Sequence, residues 1–178
     1  MDNVFMQGKG HDTFSWENLG NIKEGRGSLG EEMPVLVYRL MQFTLREALA
    51  RDFGRDKADY YMQESGHIAG AEFAKNVLDL NVGFDDFVAE LQKKLQELKI
   101  GILRLESVDT GAEEIILTVG EDLDCSGLPI SGEAVCNYDE GFIAGILEVY
   151  TGKPYSVREI DCWANGDRTC RFKCTVMK

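Results

Sequence analysis

The chain has 178 residues, 28% charged and 44% hydrophobic, and its 19 Lys plus Arg against 31 Asp plus Glu leave a net charge of −12. That length suits one ordinary domain, able to bury roughly 70% of the surface its unfolded chain exposes. The acidic balance excludes nucleic acid and anionic membrane as main partners, because both demand a basic face, and no run is long and apolar enough to span a bilayer.

Residues 1–11 are polar and lack the apolar core of a signal peptide, so a cytoplasmic location is expected. Thiols stay reduced there. Five cysteines, an odd number, are then expected to be buried, metal-bound or reactive rather than paired.

Residues 1–13 read as a loose tail and 14–178 as a single domain. A short strand is expected around Phe14-Ser15-Trp16. Gly25-Arg26-Gly27-Ser28-Leu29-Gly30 reads as a loop, without the Walker spacing and Lys of a phosphate loop. A helix is expected to start at Pro34. Val37, Leu40, Met41, Leu45, Ala48 and Leu49 recur along one face of it, and Gly54 supplies a stop. Val35, Leu36 and Phe43 widen its apolar surface, which predicts a helix either central to the core or shared with a second subunit.

A second helix spans about 56–80. Its middle is rich in small residues: Ser65, Gly66, Ala69, Gly70, Ala71 and Ala74. Glycine costs a helix ~1 kcal/mol relative to alanine, so the run predicts close backbone packing, with a cavity wall as the alternative. His67 within it reads as a surface or partly buried histidine. The third helix, 84–99, carries a stripe of Phe84, Phe87, Val88, Leu91, Leu95 and Leu98 and reads as core packing.

Strand-like runs at 102–108 and 113–119 flank the turn Asp109-Thr110-Gly111. Asp122 and Asp124 follow. A hard cation could use them, but exposed loop acids are the commoner case. The last helix, about 138–151, has Asn137 and Glu140 in capping-box spacing and ends at Gly152 and Pro154. Runs 155–163 and 170–176 form a second hairpin around Asn165-Gly166. This order predicts an α+β fold, an antiparallel sheet packed against several helices.

Cys136 precedes the last helix, where free N–H groups and the dipole favour a thiolate. Cys162 and Cys170 flank the hairpin turn. Three thiolates and the Glu159 carboxylate can complete a tetrahedral zinc shell, which, with four positions filled, is structural. Glu159 and Cys162 have opposite parity along a regular strand, so a bulge must reconcile them. Cys125 and Cys174 are alternative fourth ligands. Inert buried thiols and redox or iron–sulfur chemistry are the competing readings.

The run Cys136-Asn137-Tyr138-Asp139-Glu140-Gly141-Phe142-Ile143-Ala144-Gly145, then Glu159-Ile160-Asp161-Cys162-Trp163-Ala164-Asn165-Gly166-Asp167-Arg168-Thr169-Cys170-Arg171-Phe172, resembles the signature of the 4-vinyl reductase domain family, often described as hydrocarbon-binding proteins. The glycine-rich run 25–30 and the two helices after it are similar to stand-alone members. The resemblance implies a fold like the small TRAPP vesicle-tethering subunits, a homodimer, and an apolar pocket for a small hydrophobic or aromatic ligand. It also implies a structural zinc held by Cys136, Glu159, Cys162 and Cys170, choosing Glu159 over the spare cysteines. The function implied is binding or sensing through a dimer or protein partner. The alternatives are a reductase or accessory protein acting on a tetrapyrrole vinyl group, for which the chain offers no dinucleotide fingerprint, and a protein–protein scaffold with the first long helix as its interface.

Overall fold

The computed structural model describes residues 14–178, and the tail expected over 1–13 lies outside the described residues. The described residues divide into two compact units, 14–32 and 33–178. In the first, a 3-10 turn, Trp16–Leu19, replaces the expected strand. Local polar side chains win there: the Ser15 N–H donates to Asn18 Oδ1 at 2.7 Å. Helix α1, Ile22–Gly25, follows, with Asn21 Oδ1 accepting the Glu24 N–H at 3.1 Å. The glycine-rich run then closes as a turn, with Arg26 Nε donating to the Gly30 carbonyl at 2.7 Å.

The second unit contains α2 (Val35–Phe53), α3 (Arg55–Val77), α4 (Phe84–Glu97), β1 (Ile102–Asp109), β2 (Glu114–Gly120), α5 (Asn137–Thr151), β3 (Tyr155–Asp161) and β4 (Cys170–Val176). It is the α+β arrangement expected. Pro34 is the extended N-cap of α2 rather than its first helical residue, and Gly54, at φ 88°, breaks α2 from α3.

The sheet runs β1-β2-β4-β3, each neighbour antiparallel. Ile115, Leu117 and Val119 of β2 are buried, and the register sets them against Cys174, Phe172 and Cys170 of β4. Val157 of β3, opposite Cys174, extends this apolar face. Period-two alternation thus turns one face of the sheet toward the core.

Helices α3 and α5 meet backbone to backbone. A Cβ at Gly66 would collide with the Tyr138 carbonyl, at Gly70 with that of Phe142, at Gly141 with that of Gln63 and at Gly145 with that of His67. The small residues are a contact surface, so packing outweighs the cavity-wall alternative. Phe87, Leu91 and Leu95 of α4 are buried. The Phe87 ring stacks on Tyr150 of α5 with centroids 3.8 Å apart. Helix α2 differs: Gln42 is its one buried residue, while Leu36, Leu40 and Met41 are 68%, 56% and 60% exposed. Within one chain the apolar face of α2 is therefore not core.

Candidate metal centre

The N-terminus of α5 and the bent end of the β3–β4 hairpin build the site. Cys136, not Asn137, is the N-cap of α5, and its carbonyl accepts the Glu140 N–H at 3.0 Å. The Glu140 carboxylate does not close a capping box. It reaches the sheet instead, where Oε1 accepts the Glu159 N–H at 2.8 Å. The β3–β4 register slips between Glu159 and Asp161. This is the irregularity that the parity of Glu159 and Cys162 requires. Cys162 then caps the 3-10 turn Trp163–Asn165, its N–H held by Asp167 Oδ2 at 3.1 Å. Gly166, at φ 103°, helps turn the chain back toward Cys170.

These bends bring Cys136, Glu159, Cys162 and Cys170 together. Cys125 joins them, and one ligand atom from each of the five lies within 4.8 Å of the others. Cys125 is delivered by a tight turn in which Asp122 Oδ1 accepts the N–H groups of Asp124 and Cys125 at 2.8 and 3.1 Å. Cys174 stays apart, buried in the sheet opposite Val157 and Ile115, and burial pushes its thiol up to about 12.

Sulfurs bound to zinc at about 2.3 Å in a tetrahedron lie about 3.8 Å from one another. Cys136 Sγ is 4.0 Å from Cys162 Sγ and 3.9 Å from Cys170 Sγ. Cys125 Sγ is closer to Cys170 Sγ, at 3.1 Å. Glu159 Oε2 accepts the Cys136 N–H at 3.2 Å, while its Oε1 is buried without a partner. A buried carboxylate oxygen with no donor, beside several sulfurs, fits a bound cation. Thiolate-rich tetrahedral donors suit zinc, and iron next.

Crowding shifts the acidities of the sulfurs in opposite directions. Contacts from Cys125, then Cys136 and Cys170, hold the Cys162 thiol far below its ordinary value. Contact with Cys125 is the main cause pushing Cys136 and Cys170 up. Burial, then the Cys162 charge, raises Glu159 to about 8.

Asp122 and Asp124 correct an expectation: they are 3% and 2% exposed, not surface loop acids. Helix α2 covers them. Tyr38 Oη donates to Asp124 Oδ1 at 2.8 Å and Gln42 Nε2 to Asp124 Oδ2 at 2.5 Å. Arg39 donates to the carbonyls of Leu123 and Ser126 at 2.8 and 2.9 Å. Burial, then the charge of Asp122, pushes Asp124 up to about 7. Asp139 reaches the same place from α5, and burial holds it well above the usual carboxylate range. Sequence reasoning passed over Asp139; its signal is the three-residue spacing from Cys136, which puts both on one side of a helical turn. His67 stands outside the cluster, its Nε2 2.9 Å from Glu148 Oε2.

A separate groove of about 400 Å³ opens at the other end of α5. Phe84, Val108, Ile115, Tyr155 and Val176 line it, and Lys153 Nζ donates to Glu113 Oε1 at 2.5 Å on its wall.

A family model described as the V4R domain matches residues 115–176. An uncharacterized protein of Methanocaldococcus jannaschii is 30% identical over 150 residues, covering 84% of this chain and 81% of its own length. The phenol-responsive sensory domain of the transcription activator PoxR superposes with a TM-score of 0.61 at 17% identity, covering 82% of this chain and 77% of that one. Subunit 3 of the trafficking protein particle complex from Naegleria fowleri, covalently bound to palmitic acid, gives 0.64 at 13% identity, over 81% and 95%. At these identities the two structural likenesses are of fold.

Proposed function

The chain belongs to the V4R domain family, and on that premise we propose that it is a small-molecule binding or sensing domain braced by a structural zinc ion. The observation that carries the reading is the groove at the sheet end, about 400 Å³ and walled by Phe84, Val108, Ile115, Tyr155 and Val176. That volume lies in the range of small-ligand sites, and the lining suits a hydrophobic or aromatic compound. The phenol bound by the PoxR domain and the palmitic acid on the trafficking subunit support an apolar ligand on this fold.

Cys136, Glu159, Cys162 and Cys170 would hold the zinc, with Cys125 as the fourth sulfur in reach. Bound there, the ion supplies cross-linking and no open coordination position. The residues do the rest: Cys136 anchors α5, Cys162 and Cys170 pin both sides of the hairpin turn, and Glu159 ties β3 to the α5 N-terminus. The exposed α2 face, with Leu36, Leu40 and Met41, fits a homodimer contact or a protein partner. None of the helices among the described residues is long and apolar enough to cross a membrane, which accords with a cytoplasmic role.

Native mass spectrometry and thermal shift with phenols and medium-chain fatty acids test the reading. Binding should raise the melting temperature of the wild type and not that of Val108→Asp, which puts a charge in the groove at a residue 44% exposed. Flat profiles for every compound, with the dimer intact, would favour the scaffold reading.

A further inference from the structure

The α5 N-terminus gathers more donors than one tetrahedral ion can use. Cys125, Cys136, Glu159, Cys162 and Cys170 form one group, and Asp122, Cys136 and Asp139 form another, the ligand atoms of each lying within 4.8 Å of one another. Cys136 belongs to both. We propose that the second group binds a second divalent cation, bridged to the first through the Cys136 sulfur, so that the centre is dinuclear. This rests on reading the cysteine cluster as a metal site.

The donor arithmetic favours two ions. The two groups comprise seven side chains, one of them shared. The smaller group offers a second ion three donors, Asp122, Asp139 and the shared Cys136, and a water would complete its four positions. A single ion at the cysteines would leave Asp122 and Asp139 as surplus anions in a buried place.

Polar satisfaction points the same way. Among the described residues, the buried side-chain polar atoms without a partner are Gln42 Oε1, Asn137 Oδ1, Asp139 Oδ2 and Glu159 Oε1. All four are acceptors. Of these, Asp139 Oδ2 belongs to the proposed second group, and Gln42, 5% exposed, donates through Nε2 to the neighbouring Asp124. Buried acceptors that find no donor call for protons, water or a cation.

Charge adds a third argument. A carboxylate oxygen of Asp122 lies within 4.8 Å of one of Asp139. Two carboxylates held so close repel unless a proton or a cation lies between them. Arg39 spends its guanidinium on the carbonyls of Leu123 and Ser126. Asp124, with both oxygens held by Tyr38 and Gln42, acts as a buttress behind the ligands.

The test is an anaerobic titration of the chelator-stripped full chain with Co²⁺, read by sulfur-to-cobalt absorption and by metal analysis after gel filtration. The wild type should saturate at two ions per chain and Asp139→Asn at one, with the variant keeping its sulfur-to-cobalt band. Bridging adds a signature: two cobalt ions coupled through one sulfur show a weakened high-spin resonance, which Asp139→Asn restores to that of an isolated ion. Saturation of the wild type at one ion overturns the dinuclear centre and leaves the cysteine site standing. No binding overturns both. Two ions retained in folded Asp139→Asn would place the second ion elsewhere and also overturn the proposal. If Asp139→Asn does not fold, the wild-type stoichiometry and resonance decide.

Discussion

Glu159 accepts a hydrogen bond from the backbone N–H of Cys136 at 3.2 Å, across 23 residues of chain. The contact fastens strand β3 to the first turn of α5 and fixes which carboxylate oxygen is left over. The free oxygen, Oε1, is the one without a partner.

The first prediction concerns the ligands. Cys162→Ser should lower zinc affinity by about 100-fold, because it removes the sulfur on one side of the hairpin turn and with it that side's anchor to the ion. Glu159→Gln should cost only about tenfold, since Cys125 Sγ lies within reach to replace it. The pair Glu159→Gln with Cys125→Ser should lose more than the two single losses combined. Competition against a chromophoric chelator measures all three. Equal losses in Glu159→Gln and Cys162→Ser would refute the replacement.

Stability should depend on pH with opposite signs in the two metal states. Burial raises Asp124 from its ordinary 3.8 to about 7, and Glu159 from 4.5 to about 8. Each keeps its proton folded where it would lose it unfolded. Their contribution is complete below pH 3.8 and 4.5 and fades as pH climbs to about 7 and 8. Urea midpoints of the metal-free protein should therefore fall across that interval. With zinc the midpoints should rise, because binding displaces protons from sulfur. Parallel slopes would show that zinc does not engage these groups.

Close helix contact gives the third prediction. In Gly145→Ala the new methyl meets the His67 carbonyl and the Ala71 N–H, both rigid backbone. Overpacking of this kind costs about 3 kcal/mol, which for a chain this size lowers the melting temperature by about 10 °C. Gly83→Ala, where a Cβ meets nothing within 4 Å, is the control and should change it little.

A fourth prediction addresses the α2 surface. Leu40→Glu with Met41→Glu places two charges on residues 56% and 60% exposed in one chain. Circular dichroism should not change. Light scattering should report a dimer for the wild type and a monomer for the variant. An unaltered mass would assign the subunit contact to another face.

The candidate centre was partly legible because four of its five clustered side chains come from two short segments. Cys162 and Cys170 flank one turn, Cys136 marks a helix start, and the parity of Glu159 already demanded the bulge seen beside it. The buried acids were not legible. Tyr38 and Gln42 cover Asp124 from 86 and 82 residues away, and no local pattern encodes a contact at that separation. The first long helix was ambiguous for a similar reason. Periodicity reports an apolar face but not what lies against it, so it could not distinguish a buried helix from one left bare in the single chain. Short-range polar competition hid the smaller elements, as where Ser15 and Asn18 close a turn in place of a strand.

Helix α5 begins at the sulfurs and ends at Thr151, on the rim of the groove. Its 15 residues span about 22 Å. Four glycines remove the side-chain cushion between it and α3, so it has little freedom to tilt or slide by itself. It is a stiff rod whose two ends are the groove rim and the cysteine cluster, so the spacing between them is set by the backbone itself.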